Sequence, residues 1–149
     1  MTVQLATFYL DGYLFAVPVD QVQEVLMEQP HTLTPGASPA VAGLINLRGQ
    51  VVTALDLRRR LGMAERVQDS DEPVPSINVV VRSRDEVWSL IVDRIGDVMD
   101  VTESQFEPPP DTLHGPLRDL IVGAYKLDEQ LLLHLDVDRV LDLTSSAVT

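Results

Sequence analysis

A chain of 149 residues with 23 acidic and 11 basic side chains, net charge −12 and no cysteine, is closed to several classes of protein from the start. It has no disulfide framework, thiolate nucleophile or cysteine metal cage, and its charge disfavours phosphate backbones and anionic lipid surfaces as partners. A hydrophobic content of 45% is enough for the core of one ordinary soluble domain, read here as a single domain spanning 1–149. The start, MTVQLATFYLDG, lacks the cationic, long-apolar pattern of a secretory signal, and no apolar run reaches the length of a membrane span, so a cytoplasmic location is expected.

In chain order, residues 2–10 alternate in part between apolar and polar, Asp11-Gly12 is a hairpin turn, and residues 13–17 return, predicting an opening β-hairpin. Pro18 ends the strand. Asp20 with Gln23 three positions on reads as a capping box, and Val22, Val25 and Leu26 share one helical face opposite Gln21, Glu24 and Glu28, predicting an amphipathic helix of about two turns. Pro30, Pro35, Gly36 and Pro39 mark an irregular crossing. Residues 44–47 and 51–55 are then two mostly apolar strands around an Arg48-Gly49 corner. Asp56 is a good N-cap for a short helix with Leu57 and Leu61 inward, which Gly62 stops.

Residues 64–75, AERVQDSDEPVP, are polar and proline-punctuated, and predict a surface loop or a seam between two halves. Residues 77–81, β-branched except at Asn78, predict a strand buried on both faces. Residues 82–86 form a polar turn into a strand over 87–92, and Ile95-Gly96 with residues 98–101 predict a further bent strand. The stretch 102–116, with three consecutive prolines, cannot be regular throughout. Residues 120–127 and 130–135 predict a closing hairpin about Asp128-Glu129, Asp136 caps a last helix with Val137, Val140 and Leu141 inward, and the tail 144–149 is expected to fray.

Two segments echo one another, LDLRRRLG at 55–62 and LDVDRVLD at 135–142, each an aspartate-capped helix after strands. With many short strands and glycine or proline turns, this weak duplication favours a mainly β fold of two small barrels over one large sheet.

The chemistry-bearing residues do not assemble into a catalytic pattern. His31, His114 and His134 lack metal-ligand spacing, and no GxSxG, HExxH or cysteine-histidine arrangement is present. Asp93, Asp97 and Asp100, like Asp136, Asp138 and Asp142, match no calcium loop. Arg58, Arg59 and Arg60 fan around a short helix and read as solvated charge. Arg48 is different, because a tight turn between two strands offers its planar five-donor fork to a partner carboxylate or carbonyl.

Four blocks in order, Val22-Gln23-Glu24-Val25, GLINLRG at 43–49 followed by VVTALDLR, LIVDRIGDV at 90–98 and LIVGAYKLDEQLLLHLDVDRVL at 120–141, resemble the CheW-like domain family of bacterial chemotaxis coupling proteins across nearly the whole chain. The resemblance implies two intertwined five-stranded SH3-like β-barrels, no catalysis, no cofactor and no metal. It implies an adaptor that bridges the cytoplasmic tip of chemoreceptors to the regulatory domain of the histidine kinase CheA, at receptor arrays on the inner face of the membrane, with self-association in arrays as a further option. Receptor-facing positions carried over from the family are Val22, Glu24, Gly43, Asn46, Arg48, Gly49 and Val98, with Glu24 expected to pair with Arg48. Kinase-facing positions stay unassigned.

Two departures stand out. Thr53 takes a place where the family commonly has proline, giving the strand back a backbone donor, and Trp88-Ser89 replaces a small apolar residue and glycine, with Trp88 read as core filling and an exposed docking anchor as the alternative. An adaptor for a motility or biofilm kinase remains the nearer alternative. A nucleic-acid-binding SH3-like barrel is the remote one, since the chain is acidic and poor in aromatics.

Overall fold

Three two-residue tips fold the chain back on itself. Asp11-Gly12 (φ 50° and 83°), Arg48-Gly49 (53° and 84°) and Arg84-Asp85 (50° and 67°) all hold both residues in the left-handed region, the geometry whose twist matches that of paired strands. The structure, a computed structural model, describes residues 2–27, 39–63 and 77–143. The expected loop at 64–75, the fraying tail at 144–149 and most of the proline-rich crossing lie outside the described residues.

The first tip joins β1 (Thr2–Leu10) to β2 (Tyr13–Pro18), and β3 (Val22–Met27) follows after a 3-10 turn at Val19–Gln21. The second joins β4 (Val41–Leu47) to β5 (Gln50–Asp56), which runs into helix α1 (Leu57–Arg60). The third joins β6 (Ile77–Ser83) to β7 (Glu86–Val92), followed by β8 (Arg94–Thr102) and the two-residue β9 (Phe106–Glu107). Helix α2 (Pro116–Asp119), β10 (Ile121–Lys126), β11 (Leu131–Leu135) and α3 (Val137–Leu141) complete the order.

The strands form two sheets, β8-β1-β2-β11-β10-β9 and β3-β6-β7-β5-β4. Each contains a hairpin from the other half of the chain. The β1–β2 hairpin inserts between β8 and β11, while the β6–β7 hairpin inserts between β3 and β5, so the halves are intertwined. The parallel contacts that result, Leu14 opposite Leu132 and Thr53 opposite Trp88, are the seams. Thr53 also faces Leu44 across β4, so β5 pairs on both sides, as a strand without proline can.

Neither sheet can be flat. Strands β3 and β4 end the five-stranded order and would stand about 19 Å apart in a plane, at roughly 4.8 Å per strand. An ion pair between Glu24 on β3 and Arg48 at the tip of β4 draws them together at 2.8 Å. In the other sheet the end strands β8 and β9 are separated by one 3-10 turn, Glu103–Gln105, which spans at most about 14 Å of chain. Bulges in the β1–β8, β3–β6, β4–β5 and β10–β11 ladders supply the bending. Among the described residues no ladder of hydrogen bonds closes either ring, and the short β9 makes one sheet six-stranded rather than five.

Burial follows from that curling. Along β2, Leu14 and Ala16 point into the hollow of their own sheet with Leu5, Val101 and Leu132, whereas Phe15 and Val17 point into a larger core shared with Leu55, Leu57, Val79, Leu90, Leu135 and Val140. Strand β6 does the same, Val80 facing Ile45, Val52 and Ala54 and Val79 and Val81 facing the shared core. This is why residues 77–81 read as apolar on both faces. Asn78 is tolerated because its side chain is partnered, its Oδ1 accepting from Ser89 Oγ at 3.0 Å.

One expected element is wrong. The segment begun by Asp20 is a 3-10 turn and a strand, not an amphipathic helix, and its burial alternates with period two: Val22, Glu24 and Leu26 half-buried, Gln23, Val25 and Met27 exposed. Pro18 takes the N-cap position with no side-chain cap bond. The strand forms because β6 supplies a ladder, Glu24 opposite Val80 and Leu26 opposite Asn78, and pairing with a distant β-branched strand outweighs the weak preference of six residues for a helix.

Candidate functional site

The Arg48 corner is built from its hairpin outward. Asn46 Oδ1 accepts the Gly49 N–H at 2.9 Å, bracing the turn from within. The guanidinium then meets Glu24 end-on, Nη1 donating to Oε1 at 2.9 Å and Nη2 to Oε2 at 2.8 Å, the bidentate geometry that fixes an arginine in orientation as well as position. The two partners differ in access, because the Arg48 side chain is 74% exposed and that of Glu24 only 18%. Glu24 is therefore a wall fixture and Arg48 the part that faces outward. Two of its five N–H groups are engaged with Glu24, and the fork keeps further donors for another acceptor. Positive φ at Arg48 carries no special meaning here, since two other tips share it.

Of the residues expected to form the site, six lie on one sheet. Val22 and Glu24 are on β3, Gly43 and Asn46 on β4, and Arg48 and Gly49 at the tip; Gly43 is buried at the bulge of β4, while Asn46 is exposed. Val98 is exposed at 60% on β8 of the other sheet, opposite Ala6. Exposed apolar side chains lie on the same sheet, Val25 and Met27 on the face of β3 opposite Glu24 and Val51 on β5 directly opposite Asn46. A helical reading of residues 20–28 hides Val25 in a core, whereas a strand reading turns it outward with Met27.

Two of the three arginines read as solvated charge are corrected by the structure. Arg58 has a side chain 13% exposed and grips Asp93, Nε donating to Oδ1 at 2.9 Å, with Asp11 of the first tip at 3.9 Å. The hydrogen bond to Asp93 raises the pKa of Arg58 further above its usual range. Arg60 is buried and donates to three carbonyls at the end of α3, Val140 at 2.7 Å, Arg139 at 2.8 Å and Asp142 at 3.2 Å. Burial lowers its pKa. Arg59 alone is largely in solvent, 46% exposed beside Asp56. Asp93 and the α3 carbonyls come from the other half of the chain, where sequence spacing gives no hint of them.

His134 sits on β11 with its Nδ1 buried and without a hydrogen-bond partner, near the ring of Tyr125, and burial holds its pKa below the usual histidine value. Among the described residues no group of three or more His, Asp or Glu side chains is placed to hold a metal, and no helix is long and apolar enough to cross a membrane. What the Arg48 corner offers chemically is oriented hydrogen bonding beside apolar side chains, which suits binding.

Comparison with known proteins matches residues 4–145 to the CheW-like domain. The chemotaxis protein CheW of Bacillus subtilis is 32% identical over 96% of this chain and 89% of its own length, and that of Thermotoga maritima is 27% identical over 93% and 87%. Protein PilI of Pseudomonas aeruginosa is 28% identical over 82% of this chain and 66% of PilI. The crystal structure of the scaffolding protein TtCheW from Thermoanaerobacter tengcongensis superposes with a TM-score of 0.81 at 25% identity, covering 95% of this chain and 94% of that one. With a family match across nearly all its length and that fold, the chain belongs to the CheW-like domain family.

Proposed function

We propose that the chain is a non-catalytic chemotaxis adaptor that couples the cytoplasmic tips of chemoreceptors to the histidine kinase CheA, working in the cytoplasm at receptor arrays. Val22, Glu24, Gly43, Asn46, Arg48, Gly49 and Val98 form its receptor-facing set. The observation that carries this reading is the Glu24–Arg48 pair, a guanidinium held rigid by a sheltered carboxylate yet exposed to solvent. Orientation fixed in advance lowers the ordering cost when a partner docks. The exposed apolar Val25, Met27 and Val51 on the same sheet suit the apolar stripe of an amphipathic receptor helix.

Within the proposed set the residues divide by task. Asn46 and Glu24 position Arg48, Arg48 supplies directional donors, and Val98 contributes from the neighbouring sheet. The relatives named for chemotaxis and scaffolding support the adaptor role at the level of the family. The likeness to PilI, a relative not named for chemotaxis, leaves a second reading, a CheW-like adaptor for a motility or biofilm kinase pathway.

Reconstitution tests the proposal. Receptor tips, kinase and this chain are mixed and kinase autophosphorylation is followed; the proposal expects the kinase to respond to receptors only when the chain is present. An equal response with and without it would rule out coupling.

A further inference from the structure

A second surface lies away from the Arg48 corner, on elements that the receptor reading does not use. Between the β6–β7 tip and the end of α3 is a cavity of about 450 Å³, with Trp88 and Leu141 among its lining residues. The indole packs against the shared core yet stays half-buried, so it is neither wholly core nor wholly free. Its Nε1–H is already donated to Glu86 Oε2 at 3.2 Å, which leaves the ring face as its remaining means of recognition.

The charged groups around that ring are unequal. Among the described lining residues, Glu86 and Asp138 stand against one guanidinium, Arg84, while Asp142 lies in the field of the buried Arg60. Ser83 Oγ donates to Asp138 Oδ1 and fixes that carboxylate. Arg84 reaches Asp138 Oδ2 only at 3.9 Å with its side chain 82% exposed, a loose contact worth little. Among the described residues the lining thus offers acceptors, a π face and aliphatic carbon, with one weakly engaged cation. A ligand that satisfies it needs a positive head to meet the carboxylates, and a methylene stem to lie on Trp88 and Leu141.

We propose that this cavity is a docking pocket for an arginine or lysine side chain on a basic segment of a partner protein. The incoming cation displaces Arg84 from Asp138 and lies over the Trp88 ring. The partner chosen here is set by charge complementarity and is independent of the receptor contact, since β6, β7 and α3 carry none of the receptor-facing set.

Trp88 is the sole tryptophan of the chain, so its fluorescence in the full-length protein reports on the cavity directly. The probe is an acetylated, amidated Leu-Arg-Leu-Arg tetrapeptide, with Leu-Glu-Leu-Glu as control. The proposal expects a saturable change in Trp88 emission with the basic peptide alone. Glu86→Lys should weaken it at least about tenfold, Asp138→Asn should weaken it too, and Glu107→Lys, exposed on β9 of the other sheet, should alter it by less than about twofold. Far-UV circular dichroism checks that each variant is folded. The absence of a saturable change, an equal response to the acidic peptide, or the same loss in Glu107→Lys as in Glu86→Lys would overturn it, the last showing attraction to net charge rather than a pocket.

Discussion

The corner where β5 enters α1 and the corner where β11 enters α3 share a plan and differ in chemistry. In each, an aspartate N–H bonds a carbonyl of the preceding crossing, Asp56 to Ala40 at 2.8 Å and Asp136 to Leu120 at 2.9 Å. The same aspartate caps the helix by accepting from the arginine three residues on, Arg59 or Arg139. Each of those arginines reaches back to a second carbonyl at 3.4 Å, Pro39 or Asp119. Beyond that shared frame the charges part. Where the first helix has Arg58 facing the tip aspartate Asp11, the second has Asp138 facing the tip arginine Arg84. Where the first has Arg60, the second has Val140, buried in the shared core. The hairpins leading into them diverge the same way, Arg48-Gly49 against Asp128-Glu129. What the repeat keeps is what the backbone needs, and what it varies is what faces a partner or the other half.

If that division is right, substitutions at matched positions should have unequal effects. The largest belongs to Arg60→Leu, which leaves three carbonyls of α3 without their donor and should cost about 3 kcal/mol; a loss within about 0.5 kcal/mol in urea unfolding would show that the two corners are held alike. Arg58→Ala, which takes the guanidinium from Asp93, should cost about 2 kcal/mol, against about 0.5 kcal/mol for Asp138→Ala. The two caps should behave as equals, Asp56→Ala and Asp136→Ala each losing about 1 kcal/mol.

The smallest effect concerns pH. Burial lowers the pKa of His134 from 6.5, so the unfolded chain binds this proton more readily than the folded one. The stability that follows is fully present above about pH 6.5 and is lost as pH falls below it. His134→Gln should therefore flatten the fall in melting midpoint between pH 7 and pH 5.5, and an unchanged slope would assign it to the carboxylates instead.

Most of the fold is legible because its signals are local. Asp11-Gly12 and Arg48-Gly49 announce their turns, Asp56 and Asp136 their helices, and the β-branched run at 77–81 its burial on both faces. The Asp20 segment fails because Val22 and Leu26, four apart, share a face in a helix and in a strand alike. Glu24 and Val25 separate the two readings, and their placement is decided by β6, more than fifty residues away. The roles of Arg58 and Arg60 are hidden for the same reason, since Asp93 and Val140 lie in the other half. At the candidate site, the turn that presents Arg48 can be read from its own residues. Its pairing with Glu24 came through the family's pattern, because residues 24 apart carry no periodic signal.

The central claim is that Glu24 orients Arg48 for a partner and does not merely brace the sheet. Binding of a receptor tip, measured by calorimetry beside the melting midpoint for Arg48→Glu, Glu24→Arg and the two combined, tests it most directly. The account predicts that Arg48→Glu abolishes receptor binding at a cost of no more than about 1 kcal/mol in stability. It also predicts that the combined exchange restores the ion pair and the midpoint without restoring binding, because the guanidinium then stands at the sheltered position. Receptor binding that survives Arg48→Glu, or a fold that collapses with it, would contradict the account.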